Sequence, residues 1–113
     1  MVLSDSMIAQ HAVTSDAESR LRHLGRLAGN TPMLAIECRY RGQRRVIHVK
    51  SEQLNMTGSI KDRMAFHILR QGHADGSLQP GFTVVEASSG NTGISMAAMG
   101  RAMGHEVVIL MPD

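Results

Sequence analysis

Two short segments hold the side chains of this chain that could do chemistry. Asn55-Met-Thr-Gly-Ser-Ile-Lys61-Asp-Arg63 and Glu86-Ala-Ser-Ser-Gly-Asn-Thr-Gly93 each set small hydroxyl and amide residues where the chain is about to enter a helix, and the first adds a lysine in the opening turn. A cation there faces the positive end of the helix dipole, which costs roughly 0.3–1 kcal/mol on an exposed surface. For an amine that must be neutral to attack a carbonyl the same field helps, because it disfavours the ammonium form. A solvated surface lysine held by Asp62 would explain the same residue. Ser59 is the expected N-cap, with Asp62 three residues on as a weaker relative of the capping box.

The second segment follows Phe82-Thr-Val-Val-Glu-Ala87, a β-branched run that reads as a strand, and opens a helix expected from Asn91 to Met103. Ser88, Ser89, Gly90, Asn91 and Thr92 lie at the junction. Unpaired backbone N–H groups at a helix N-terminus, three hydroxyls and a carboxamide there suit a small anion. Ordinary capping by Ser89 or Asn91 would account for one of these residues and not for the cluster.

Together with Gly29-Asn-Thr-Pro-Met33, Lys50-Ser-Glu52 and Leu110-Met-Pro-Asp113, the two segments closely resemble the cysteine synthase (O-acetylserine sulfhydrylase) family. That family belongs to the tryptophan-synthase-β-like pyridoxal-phosphate enzymes, or fold type II, and the resemblance runs from about Leu24 to the last residue. It implies an α/β fold, the N-terminal part of a pyridoxal-phosphate-dependent catalytic domain over residues 29–113, truncated, behind a polar lead-in and N-terminal helix over residues 1–28. Lys61 is then similar to the catalytic lysine that holds pyridoxal 5′-phosphate, is displaced by the substrate amine and removes the α-proton. Asn91 is similar to the asparagine that hydrogen-bonds the cofactor's 3′-hydroxyl. Ser88, Ser89, Gly90, Asn91 and Thr92 resemble the loop that grips the substrate α-carboxylate.

The activity so implied is β-replacement on an O-activated serine, with sulfide as the nucleophile, in a cytoplasmic homodimer of cysteine biosynthesis. Leu110-Met-Pro-Asp113 is most similar to the isoform B branch. A cystathionine β-synthase-like or serine/threonine dehydratase-like lyase would share Lys61, and a non-catalytic homologue is a third class. Two departures leave the substrate open: the family more often has Thr at the Ser88 position, and Asn-Pro-x-Gly where this chain has Asn55-Met-Thr-Gly58. The family's phosphate cup and its partner for the pyridine nitrogen are implied to lie beyond Asp113. The fragment alone is therefore expected to bind the cofactor poorly.

Positioning these residues requires a short series of elements. Met1 to Asp16 is polar and weakly patterned and reads as a lead-in. Asp16 can cap a helix to about Ala28, with Leu21, Leu24 and Leu27 as its stripe and Gly29 as its stop. Strands are expected at Met33 to Cys38 and Arg44 to Lys50, joined as a β-hairpin by Arg41-Gly-Gln. The Lys61 helix should run to about His73, with Met64, Ile68 and Leu69 on one face. From Phe82 the order strand, helix, strand predicts a βαβ unit of a mostly parallel sheet. Its helix should be buried on most sides, with Met96, Met99 and Met103 as core filling and Gly93, Ala97, Gly100 and Gly104 keeping it slim. Glu106-Val-Val-Ile-Leu110 is a continuous apolar run of the kind expected in a strand covered on both faces.

Composition bounds the remaining possibilities. The chain has 113 residues, 42% apolar and 19% charged, a formal charge of +2 and a pI near 9.2, which is a globular composition with a mild basic excess. The cluster Arg39, Arg41, Arg44, Arg45 lacks interleaved aromatics and reads as a solvated hairpin, so nucleic-acid binding is not expected. Cys38 is the single cysteine, which excludes an intrachain disulfide. No apolar run has membrane-spanning length, and no secretory signal is legible. The six histidines show no ligand spacing, so a metal is not expected and surface positions are.

Overall fold

The computed structural model of the chain describes residues 16–112, and the lead-in expected over Met1 to Asp16 lies outside them except for Asp16. Residues 16–25 form helix α1, which ends earlier than expected in tight turns where Arg26 and Leu27 donate to the carbonyls of His23 and Leu24. Only Leu24 of its leucine stripe is buried, and Leu27 is exposed. Gly29 and Asn30 then turn the chain at positive φ (95° and 50°).

Strands β1 (Met33–Tyr40) and β2 (Gln43–Lys50) form the expected antiparallel hairpin, each longer than its pattern suggested. Arg41 and Gly42 sit between the paired Tyr40 and Gln43 at φ 52° and 76°, the two-residue turn whose twist matches that of the strands. Cross-strand pairs Leu34 with Val49 and Ile36 with Ile47 line one face, and Ala35 with His48, Glu37 with Val46 and Arg39 with Arg44 the other. The four arginines are exposed, as a solvated hairpin requires.

Helix α2 (Lys61–Asp75) follows a short 3-10 turn at Glu52–Leu54. Its inward face differs from the one expected: Asp62, Ala65 and Leu69 are buried, while Met64 and Ile68 are exposed. The apolar spacing was misleading because a polar residue, Asp62, shares the buried stripe through hydrogen bonds of its own.

The chain then forms β3 (Thr83–Ala87), α3 (Asn91–Ala102) and β4 (Glu106–Leu110), with β3 and β4 parallel and in register from Thr83 with Glu106 to Ala87 with Leu110. Helix α3 is the centre of the described fold, packed against α2 on one side and the β3/β4 pair on the other. Ala65, Leu69, Val84, Met96 and Met99 make the core, flanked by Phe66, Leu78, Val107 and Ile109. Full burial of a Leu, Val or Met side chain contributes about 1.5–3 kcal/mol each, so this cluster supplies much of the drive to fold. The methionine row is core, and Met103 joins it. On β4, however, only the Val107 and Ile109 face is half-buried against α3; Val108 and Leu110 are exposed, against the expectation of cover on both faces.

The histidine expectation needs a larger correction, because His105 is 2% exposed. Its Nδ1 lies 2.9 Å from the Phe82 carbonyl oxygen and donates to it, which leaves Nε2 as an acceptor for His73 Nε2 at 2.9 Å. An imidazole with both nitrogens satisfied can be buried at low cost. Burial, and secondarily the neighbouring His105, hold the His73 pKa below its ordinary 6.5.

Close packing of α3 depends on missing side chains. A Cβ at Gly100 would lie 2.6 Å from Val107 Cγ2, and one at Gly93 would lie 3.1 Å from Ile109 Cγ2. Gly100→Ala should therefore destabilise the whole protein by about 1–3 kcal/mol through overpacking, despite a helix-propensity gain of up to about 1 kcal/mol. Urea denaturation measures it, and Val107→Ala in the same chain should recover part of the loss. An unchanged midpoint in Gly100→Ala would mean that helix and strand are not in tight contact.

Candidate active site

The turn from β3 into α3 lies at the carboxyl ends of two parallel strands, the place where sheets of this kind bind ligands. Ser88 N donates to Leu110 O at 3.0 Å, tying the turn to the end of β4. Ser88, Ser89 and Gly90 line one open cleft with Leu110, Met111 and Pro112. Asn91 and Thr92 are the first two residues of α3, so their N–H groups have no acceptor within the helix. Nothing lies within 4 Å of where a Gly90 Cβ would stand, so a ligand can approach the backbone there. The helix is capped by neither Ser89 nor Asn91. Ser88 does it: its Oγ accepts from Gly93 N at 3.0 Å and from Gly90 N at 3.3 Å, and among the described residues its O–H has no acceptor.

Lys61 is the first residue of α2 and is exposed. Among the described residues its ammonium makes no ion pair or hydrogen bond, and its backbone N–H donates to Ser59 Oγ at 3.2 Å. The capping box does not form, since Ile60 occupies the N-cap position without a side-chain bond. Asp62 does not hold the lysine either. It turns inward, where Oδ2 accepts from Thr57 N at 2.6 Å and Oδ1 from Ser95 Oγ at 2.6 Å and from Thr57 Oγ1. The chain's other lysine, Lys50, is engaged, donating to the Thr31 carbonyl oxygen. Lys61 is thus the lysine whose ammonium has no partner among the described residues.

The loop before Lys61 is held from its other side as well. Arg63 grips Glu52 with two parallel bonds, Nε to Oε2 and Nη2 to Oε1, each 2.8 Å. Thr31 Oγ1 donates to Glu52 Oε1 and Asn55 Nδ2 to Oε2, both at 2.8 Å, and Asn55 Oδ1 accepts from Gly29 N at 2.7 Å. Gly29-Asn-Thr-Pro, Lys50-Ser-Glu52 and Asn55 to Arg63 are therefore one hydrogen-bonded unit, which the sequence presents as separate segments. Arg63 first, then Asn55 and Thr31, hold the Glu52 carboxyl at a pKa of about 2, down from the ordinary 4.5.

Sequence reasoning missed Thr57, Asp62 and Ser95 as a group, and Glu52 with Arg63 as a clamp. Ser95 carried a signal, since it is a small polar residue in an otherwise apolar helix. Glu52 was named only within the Lys50-Ser-Glu52 motif, and its role as a clamp was not legible because Arg63 and Thr31 are 11 and 21 residues away. A depressed carboxyl pKa stabilises the fold above the unfolded value near 4.5, and that contribution disappears as pH falls toward about 2. Wild type should therefore be more stable than Glu52→Gln at pH 7, with the gap in urea midpoints closing between about pH 4.5 and 2. A gap independent of pH would contradict the clamp.

Comparison with known proteins adds to this geometry. The family described as pyridoxal-phosphate dependent enzyme matches residues 24–113. Cysteine synthase 1 of Emericella nidulans is 37% identical over 99 residues, 88% of this chain and 27% of that protein. Cystathionine beta-synthase of Rattus norvegicus is 34% identical over 105 residues, 91% of this chain and 19% of that protein. Among solved structures, a hydrogen sulfide-producing enzyme from Fusobacterium nucleatum superposes with a TM-score of 0.81 at 48% identity, over 85% of this chain and 29% of that one. O-acetyl serine sulfhydrylase isoform 3 from Entamoeba histolytica gives 0.72 at 36%, over 80% and 28%. The chain thus spans less than a third of the length of each of these relatives. Family match, fold and motif order agree from Leu24 onward, and the chain belongs to the pyridoxal-phosphate dependent enzyme family.

Proposed function

We propose that the chain supplies the reactive lysine and the α-carboxylate loop of an enzyme that performs β-replacement on an O-activated serine, with sulfide as nucleophile. The observation that carries it is an exposed, unengaged Lys61 at the head of α2 whose next residue, Asp62, is bonded to Ser95 of α3, the helix whose N-terminal turn, Ser88 to Gly90, lines an open cleft at the carboxyl ends of parallel strands. The donor set suits pyridoxal 5′-phosphate and its amino-acid substrate: one primary amine for covalent attachment, the Asn91 carboxamide for a phenolic oxygen, and amide and hydroxyl donors for a carboxylate.

Each residue then has a defined task. Lys61 would hold the cofactor covalently, yield it to the substrate amine, and as a free amine take the α-proton. Asn91 would orient the ring through its 3′-hydroxyl. Ser88, Ser89, Gly90 and Thr92 would fix the substrate carboxylate, aided by the positive end of the α3 dipole. When bound, the cofactor supplies the electron sink that stabilises negative charge at Cα while the β-substituent leaves. Holding the carboxylate and the amine of one small substrate fixes the Cα–H bond relative to Lys61, which is how orientation lowers the barrier.

The runner-up is a cystathionine β-synthase-like enzyme, supported by the 34% identity to the rat protein, and it would differ in the nucleophile. Homodimeric assembly and a cytoplasmic location are also proposed and rest on the family resemblance alone. Among the described residues, no helix is long and apolar enough to cross a membrane, and no group of three His, Cys, Asp or Glu could hold a metal ion.

In the whole protein, Lys61→Ala should abolish the visible absorbance of lysine-bound cofactor and lower kcat by roughly 10²–10⁴-fold. An unchanged band would remove Lys61 from its role. Given O-acetylserine or O-phosphoserine with sulfide, the wild type should form cysteine. Pyruvate without cysteine would replace the proposal with a dehydratase-like lyase, and product only with a larger thiol would favour the runner-up.

A further inference from the structure

Asp62 is an unusual residue to bury completely. It is 0% exposed, and among the described residues no basic side chain pairs with it. Three donors compensate it: Thr57 N, Thr57 Oγ1 and Ser95 Oγ, with the two hydroxyls 3.1 Å apart. Hydrogen bonds to a charged acceptor are the strong kind. Even so, an apolar residue of similar size commonly stabilises a core as well as a buried charge does. What an apolar residue lacks is direction.

The partners of Asp62 come from the two halves of the candidate site. Thr57 belongs to the loop that delivers Lys61, and Asp62 itself is the next residue after that lysine. Ser95 lies four residues after Asn91, so the two share a face of α3 one turn apart. A single carboxylate therefore bonds the segment that presents the amine to the helix that presents the carboxylate loop. Apolar packing between α2 and α3 tolerates small slides. A short bond from Ser95 to a buried carboxylate that two further bonds tie to Thr57 does not.

We infer that Asp62 is a positioning residue of the active site. It sets the register between Lys61 and the Ser88–Thr92 loop by acting through Thr57 and Ser95. This deepens the functional proposal above and rests on it. Misplacement of a reacting group by about 1 Å can cost 10²-fold in rate while leaving binding nearly intact. Loss of the bridge should accordingly appear in kcat more than in KM.

The test uses the whole protein with Ser95→Ala, Asp62→Asn and Asp62→Ala. Ser95→Ala removes one arm and leaves both Thr57 bonds. Asp62→Asn preserves shape, with one oxygen to accept and an amide to donate to a hydroxyl, so it should rescue much of what Asp62→Ala loses. Expected for Ser95→Ala is a kcat lowered roughly 10–100-fold, with KM within about 3-fold and a near-wild-type melting temperature. In cofactor-free protein, hydrogen–deuterium exchange should quicken at the Thr57 amide and across residues 88–94. Should Asp62→Ala fail to fold, Ser95→Ala and Asp62→Asn still decide the matter. Wild-type kcat and exchange in Ser95→Ala would overturn the assignment, as would a kcat that falls only with the folded fraction. The wild-type protein is read first: absence of cofactor on Lys61 there would remove the functional proposal and this inference together, whereas a competent wild type with indifferent variants removes this inference alone.

Discussion

The described fold depends on how closely α3 can lie against β4. Gly100 and Gly93 let helix backbone meet strand side chains at distances that a Cβ would forbid, and everything around them takes its position from that contact. Met96 and Met99 reach into the resulting layer and fill it with Leu69, Ala65 and Val84, which brings α2 onto the opposite side of α3. The same approach places the N-terminus of α3 at the carboxyl ends of β3 and β4, so the geometry that closes the core also positions the turn proposed to hold the substrate carboxylate.

Polar bonds then fix what apolar packing leaves free. One set surrounds Asp62 and joins the Lys61 loop to α3. Another surrounds Glu52 and joins that loop to Arg63 and to the turn at Gly29 to Thr31. Both bond to the same short stretch, residues 55–63. Lys61 emerges from this braced segment with its own ammonium unpaired among the described residues. Rigid support beneath the proposed reactive amine is the arrangement that catalysis by orientation requires.

Much of this was legible in the sequence, and the reasons are specific. The hairpin, the βαβ order, the methionine core and the slim glycine-bearing helix all follow from local pattern, because each depends on residues near one another in the chain. Motif order identified the family for the same reason. What pattern did not reveal was long-range and polar. The sequence offers Asp62 only local partners, Lys61 or a capping box at Ser59, yet its bond to Ser95 crosses 33 residues. His105 was placed on the surface, yet it is buried because His73 and Phe82 satisfy both ring nitrogens. In α2 the inward stripe was misjudged for the same cause, since a hydrogen-bonded aspartate took a place that hydropathy assigns to apolar residues. Strand β4 was expected to be covered on both faces, but in the described residues only the side facing α3 is. Ser88 to Thr92 were recognised as a cluster, while the cap fell to Ser88, whose hydroxyl reaches Gly93 five residues on.

The central claim is that Lys61 is the residue that carries the cofactor. Borohydride reduction of the whole protein loaded with pyridoxal 5′-phosphate, followed by peptide mass spectrometry, tests it most directly. The account predicts the reduced cofactor's added mass on the peptide containing Lys61 and none on the peptide containing Lys50. The added mass on Lys50, or on a lysine outside this chain segment with Lys61 unmodified, would contradict it.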